Sequence, residues 1–270
     1  MHGGGKSDRP VLPVKPPNNT GTPVAEVVEG RGRTKENAIG KTGAGHRPGE
    51  HRTNALDGVR QVARKDKEAR FTALLHHISP QRLREAYWAL NPKAAPGVDE
   101  VSWADYGENL DENIEDLLNR VHTGAYRPSP TRRTFIPKAN GQPRPLGITT
   151  LEDKVLQRAT VEVLNAIYEE DFAGFSYGFR QGRNQHDCLD ALSVGIDRKN
   201  VNWVLDADIA GFFDSIDHSA MLEILGRRIA DERLLRLIAK WLKAGVLEEG
   251  IRSETVKGTP QGASVTPQTQ

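Results

Sequence analysis

Cysteine is almost missing from this chain: Cys188 is the one example in 270 residues. A single thiol excludes an internal disulfide and a cysteine-built zinc site, and it fits a reducing cytoplasm. Long apolar runs are missing too. None approaches the ~20 residues needed to span a bilayer. The N-terminus shows no apolar core of a signal peptide, so no membrane partner is expected. Bulk charge nearly cancels: 37 Lys and Arg against 36 Asp and Glu leave a formal net charge of +1. That balance does not announce a nucleic-acid binder, but its distribution is uneven. Residues 99–116 carry eight acidic groups and no Lys or Arg, while residues 127–158 carry seven basic groups against Glu152 and Asp153. Such segregation can build a local positive surface for phosphates. It also suits two opposed faces that pair with each other.

The length allows one large or two small domains. Residues 1–54 are rich in Gly, Pro, Thr, Lys and Arg without apolar periodicity and read as disordered. From Leu56 the pattern turns helical, with Phe71, Leu74, Leu75 and Ile78 as one apolar stripe. Ser79-Pro80 starts a second helix through Leu83, Tyr87 and Leu90. A turn-rich loop, Lys93-Ala94-Ala95-Pro96-Gly97-Val98-Asp99, follows. A third helix spans about Leu110 to His122. Residues 131–149 read as a hairpin turning through Asn140-Gly141, with Lys138 and Arg144 flanking the turn. A long amphipathic helix from Leu151 to Asp171 comes next. Then a loop, residues 175–183, interleaves aromatics and glycines with Arg180 and Arg183. It suits stacking on bases and pairing with phosphates, and equally a packed aromatic loop with surface arginines. Beyond a helix over 184–197 and two more after His218, residues 246–257 suggest a second hairpin.

The most informative stretch is Trp203-Val204-Leu205-Asp206-Ala207-Asp208-Ile209-Ala210-Gly211-Phe212-Phe213-Asp214. It opens as an apolar, β-branched run and predicts a short buried strand. Residues two apart share a strand face, so Asp206 and Asp208 point the same way. Buried carboxylates need a positive partner. A hard cation such as Mg²⁺ would answer that need, taking one or two carboxylates plus water and phosphate. Gly211 lets the backbone turn. The same spacing also suits a strand ending in solvated aspartates.

Four blocks, in order, resemble the reverse transcriptase encoded within bacterial group II introns, also called the intron maturase. Ile136-Pro137-Lys138 with Gly141 to Ile148 is similar to its first fingers motif, and Ser176-Tyr177-Gly178-Phe179-Arg180 with Arg183 to its second. Asp208-Ile209, Phe212-Phe213-Asp214 and Ile216-Asp217-His218 resemble the first palm motif. Gly258-Thr259-Pro260-Gln261-Gly262 resembles the motif before the catalytic hairpin. The loop 93–99 is similar to the N-terminal extension of the same proteins.

The resemblance implies an α/β (α+β) right-hand polymerase: a disordered tail to 54, a helical extension over 55–130, fingers over 131–200 and a partial palm over 201–270. It implies that Asp208, with the Ile209 carbonyl, holds Mg²⁺ for two-metal nucleotidyl transfer. Lys138 and Arg144 would clamp the triphosphate. Phe213 would lie under the nucleotide sugar and exclude a 2′-hydroxyl, Gln261 would position the nucleotide, and Arg180 and Arg183 would contact RNA. Asp206 has no family counterpart as a ligand, and Asp214 is expected to bond the turn backbone. The implied partners are intron RNA template, DNA primer and deoxynucleoside triphosphates, with a homodimer in the full-length parent. The family's Tyr-x-Asp-Asp hairpin belongs beyond Gly262, whereas this sequence ends at Gln270. The expectation is a fragment that does not polymerise DNA by itself; the alternatives are a non-catalytic RNA-binding module and a non-functional truncated product.

Overall fold

Helices begin where the sequence supplies caps. The computed structural model describes residues 56–137, 141, 143–199 and 201–259, with Arg144 described by its backbone alone. The tail 1–54 lies outside the described residues. Helix α1 covers Asp57–Lys65. Ser79 caps α2 (Pro80–Trp88), accepting from the Arg82 N–H with Pro80 in the first turn, as the sequence predicts. Ser102 and Asp105 form a capping box that starts α3 (Trp103–Glu108), a helix the apolar pattern alone does not reveal. Helix α4 (Leu110–Thr123) buries Ile114, Leu117 and Val121 and stops at Gly124, whose φ of +76° suits glycine.

Strands β1 (Thr131–Pro137) and β2 (Pro143–Ile148) pair antiparallel, from Arg132 opposite Ile148 to Pro137 opposite Pro143. The expected hairpin is present. Helix α5 (Leu151–Asp171), capped by Thr150, follows with the expected bounds and buries 13 of its 21 residues. Helix α6 (Gln185–Lys199), α7 (Phe212–Ser215), α8 (His218–Gly226) and α9 (Glu232–Leu242) come next. Strands β3 (Val246–Glu248) and β4 (Ile251–Ser253) form the second hairpin. It joins the first, because β3 pairs parallel with β1 at Thr131–Val246. The sheet order is β2-β1-β3-β4, so the sheet is mixed rather than purely antiparallel.

Two expectations fail here. Phe71 to Ile78 is not one helical stripe: α1 ends at Lys65, and Phe71 instead bridges Ile229 in parallel. The Phe71 N–H donates to the Arg228 carbonyl and the Ala230 N–H to the Phe71 carbonyl, at 2.9 and 2.8 Å. Backbone bonds across the fold outweigh the local periodicity. The strand expected over Trp203–Ile209 is also absent: residues 201–209 carry no regular secondary structure and are exposed throughout. Trp203 and Leu205 stand 91% and 90% exposed. A strand needs a neighbour to take its N–H and C=O groups, and among the described residues no strand lies beside this segment. Helix α6, just before it, buries none of its residues.

The core lies between α1, α2, α4, α5, α8 and α9. Three buried polar groups hold it in register. The Asp231 carboxylate caps α9 by accepting from Arg233 and Leu234 N–H, and its other oxygen accepts from Leu74 and Leu75 at 2.7 and 2.9 Å. Burial opposes its ionisation, but those four N–H donors win and hold its pKa below the ordinary value. Arg228 is buried and donates to Asp171 and to the carbonyls of Ala63, Asp66 and Ala69, tying α8 to α5 and α1. Asp153 accepts from the Tyr126 hydroxyl and from the Ser129 N–H, and Trp241 donates to Tyr126 at 3.0 Å. Burial is the main reason its pKa rises from 3.8 to about 6, against the pull of those donors.

Replacing Asp231 with Ala strands four backbone donors and is expected to destabilise the fold by about 3 kcal/mol, read from urea midpoints. Because its folded pKa is depressed, the wild-type contribution is present above the ordinary aspartate range and is lost as pH falls below it. Asp153 has the opposite sign. Its folded state binds the extra proton, so its contribution shrinks as pH rises from 3.8 to about 6 and is level above that. The stability difference between wild type and Asp153→Asn should fall across that window and then stay constant.

Candidate nucleotide-binding and nucleic-acid interface

The candidate site grows from the end of the exposed segment 201–209. Gly211 takes φ +62°, and its carbonyl accepts from the Asp214 and Ser215 N–H groups at 3.1 Å, starting the single turn α7. That turn sets Phe212 and Phe213 edge to face, with ring centroids 5.7 Å apart. Asp217 then caps α8 by accepting from the Ser219 and Ala220 N–H groups, both at 2.9 Å. Those bonds are the main cause that lowers the Asp217 pKa from its ordinary value. The carboxylate that braces this turn is therefore Asp217. Among the described residues Asp214 makes no such bond.

Onto this turn docks the segment before the fourth motif. Lys257 bridges Asp217 antiparallel. The Gly258 N–H donates to the Ile216 carbonyl and the Thr259 N–H to the Phe213 carbonyl, each at 2.8 Å. The buried His218 ring closes the clasp, with Nε2 2.7 Å from the Gly258 carbonyl in the tautomer that donates. Gly258 has φ +80°, and a Cβ there would lie 2.8 Å from the Phe213 carbonyl oxygen and 3.0 Å from Asp214. Only glycine fits. The role of His218 was not legible in advance, although Asp217 before an apolar helical run is an N-cap signal.

A second junction forms at the foot of the first hairpin. The loop 93–99 packs so closely that a Cβ on Gly97 would meet the Thr150 backbone at 2.5 Å. Arg132 and Lys154 donate to the Pro96 and Ala95 carbonyls at 2.6 and 2.8 Å. The extension loop, the hairpin and the start of α5 thus meet. The ion pairs formed by the acidic run include Arg84 with Asp111 and Arg120 with Asp116. Those of the basic run include Arg133 with Glu248 and Arg158 with Glu162.

The expected site residues are placed unequally. Asp206, Asp208 and Ile209 are exposed on the segment without secondary structure, and Phe213 is half-buried in the clasped turn. Lys138 and Gln261 lie outside the described residues, as does the Arg144 side chain. Arg180 is buried rather than displayed. It donates to Glu169 at 2.7 Å and to the Ala173 and Ser176 carbonyls at 3.0 and 2.8 Å, over the Phe172 ring. Arg183 is nearer the surface, 5.1 Å over Tyr177, with one nitrogen on the Gly174 carbonyl. As to a metal, the Asp208 carboxylate is a hard oxygen donor of the type a divalent cation takes. Among the described residues no three His, Cys, Asp or Glu gather to complete a site.

Residues 136–269 match the family model described as reverse transcriptase (RNA-dependent DNA polymerase). The chain belongs to the group II intron reverse transcriptases. It is 35% identical to Protein YkfC of Escherichia coli over 76% of this chain and 56% of that protein. It is 38% identical to the group II intron-encoded protein LtrA of Lactococcus lactis over 58% of this chain and 26% of that protein. It is also 38% identical to an uncharacterized 91 kDa protein in the cob intron of Schizosaccharomyces pombe, over 57% of this chain and 19% of that protein. The chain thus spans about half, or less, of the relatives it matches. The architecture mixes α-helices with a small four-stranded sheet, and the reverse transcriptase family works with divalent metal ions. No described helix is long and apolar enough to cross a membrane.

In this chain, Gly258→Ala should detach residues 256–259 from the Phe213 turn. The expected cost is about 2 kcal/mol, from the left-handed backbone and the clash together, with faster proteolysis after Lys257. An unchanged melt and cleavage pattern would contradict the clasp.

Proposed function

We propose that this chain carries the nucleotide-binding face of an RNA-directed DNA polymerase that copies intron RNA from a DNA primer and assists its splicing. The observation that supports this best is the clasp. It seats the Gly258-Thr259 segment, two residues before Gln261, on the turn that holds Phe213. In this reading Phe213 lies under the sugar of a deoxynucleoside triphosphate and its ring excludes a 2′-hydroxyl. Lys138 and Arg144, from the two sides of the hairpin tip, hold the phosphates, a point charge and a fork. Gln261 positions the nucleotide. Arg183 meets RNA, and Arg180 shapes the loop that presents it. Asp208, with the Ile209 carbonyl, would hold Mg²⁺, which when bound stabilises charge on the transferred phosphate. The extension over 55–130, the fingers over 131–200 and the palm beginning at 201 are the corresponding units. A reducing cytoplasm suits the lone thiol.

Catalysis needs Asp208 held rigidly, and the strand expected to brace it is not formed among the described residues. The chain by itself therefore binds nucleotide and RNA without polymerising. That favours a second reading, a non-catalytic RNA-binding module, over which nucleotide binding decides. Photo-crosslinking of labelled dTTP with Mg²⁺ should label the wild-type chain and fade in Asp208→Asn. In Phe213→Ala the preference for dTTP over UTP should fall toward parity. Primer extension on oligonucleotide-primed RNA should give no product. Incorporation would overturn the inactivity, and absence of Mg²⁺-dependent labelling would leave the RNA-binding module.

A further inference from the structure

Helix α9 buries Leu234, Leu237, Ile238, Trp241 and Leu242. Its opposite side carries Arg233, Arg236, Lys240 and Lys243 at intervals of three, four and three residues, which is one helical stripe. Arg233, Arg236 and Lys243 are exposed and Lys240 is half-buried. At 1.5 Å per residue the stripe runs about 15 Å.

A fifth cation joins it from another element. Arg127, exposed in the linker after α4, donates to the Gly124 and Tyr126 carbonyls at 2.9 Å. Lys240 donates to the same two carbonyls at 2.8 Å. Two cations thus crowd one pair of oxygens. Burial, then Arg127 and Arg236, lower the Lys240 pKa, so the three charges feel one another. The C-terminus of α4 offers about half a negative charge there, too little for the cluster. Two carboxylates border the stripe. Glu232 reaches Arg236 at 3.6 Å from a side chain 84% exposed. Asp231 stands 3.8 Å from Arg233, with its oxygens already taken by four backbone N–H groups. Among the described residues no ion pair neutralises Arg127 or Lys240, so an arriving anion relieves a standing repulsion.

The stripe lies by the foot of the first hairpin and not by its far end at Pro137. Thr131, at the foot of β1, bonds to Gly245 just beyond α9, whereas Lys138 follows the far end of that strand at Pro137. Seven strand residues separate the two ends by roughly 20 Å.

We propose that the α9 stripe and Arg127 form a docking surface for the phosphate backbone of structured RNA. A row of cations on one rigid helix matches a row of regularly spaced phosphates better than a single small anion. Such contacts fix the position of the RNA and read no sequence. The choice of RNA as the polyanion rests on the polymerase reading; the surface itself does not.

The test is salt-dependent binding of the full chain to a fluorescent RNA hairpin with a single-stranded flank. In the Arg127→Gln, Arg236→Gln, Lys240→Gln triple variant the slope of log affinity against log salt should fall by about 2, with about tenfold weaker binding at ~0.1 M salt. Lys240→Arg should bind like wild type. Unchanged slope and affinity would overturn the proposal. So would an equal loss for an RNA of any sequence that is matched by a larger loss for duplex DNA or an acidic protein, since RNA would then not be the occupant. Should the triple variant melt early, Arg236→Gln alone, on an exposed side chain, must still lower the slope by about 0.7; no change would refute the surface. Labelling by dTTP should survive in these variants. Its loss in wild type sinks the polymerase reading and leaves this surface standing.

Discussion

The burial of α5 is the constraint on which the rest of the molecule depends. A helix with buried residues on every side, among them Asp153, Lys154, Gln157 and Thr160, cannot be covered by one neighbour. The N-terminal helices pack on it from one direction and α8 and α9 close the core from another. Apart from the Gln157 Oε1, which has no hydrogen-bond partner among the described residues, these polar side chains are answered from inside the protein, because an unpaired buried polar group costs about as much as several good contacts gain. Tyr126 and Ser129 answer Asp153, the Ala95 carbonyl answers Lys154, and the Leu156 carbonyl answers Thr160. The answers to Asp153 and Lys154 also pin neighbouring segments. The loop 93–99 is held against the hairpin foot in this way, and the linker to β1 is held against α9.

The same logic explains why the two ends of the chain are interlocked. Arg228 and Asp231 come from the far side of the sequence. Between them they satisfy the end of α1, the bend to Phe71 and the start of the short helical turn at Leu75. The extension is therefore part of the core and not an appended arm. Cutting it away would strip the buried Arg228 of its three carbonyl partners and the buried Asp231 of two of its four N–H donors, which is costlier than losing surface pairs.

Around that rigid base the candidate site is built in two grades of order. The Phe213 turn and the Gly258 segment are held by three hydrogen bonds and a glycine whose left-handed backbone and close packing leave no room for a Cβ. The Asp208 segment just before them has no ladder and no core contact. The difference follows from what each needs. A turn with a cap satisfies its own backbone locally, and a docking strand adds two bonds. A lone extended run must wait for a neighbouring strand. The exposure of Trp203, Leu205 and the whole of α6 belongs with that unmet need.

Much of this was legible from residue order alone. Caps, periodicity and the Asn-Gly turn placed α2, α4, α5 and both hairpins, because those signals act within a few residues. The ordered motifs pointed to the family, and with it to the roles proposed for Asp208, Phe213, Lys138 and Arg144. What residue order could not decide was which segments meet. Phe71 joined a β-bridge instead of a helix, Arg180 turned inward to Glu169, and the second hairpin attached to the first. An Asp-rich apolar run that reads as a strand stayed unpaired. The first three outcomes were set by partners 11 to more than 150 residues away, and the fourth by the lack of one among the described residues. Local preferences amount to fractions of a kcal/mol per residue, and a buried hydrogen bond or a missing ladder outweighs them.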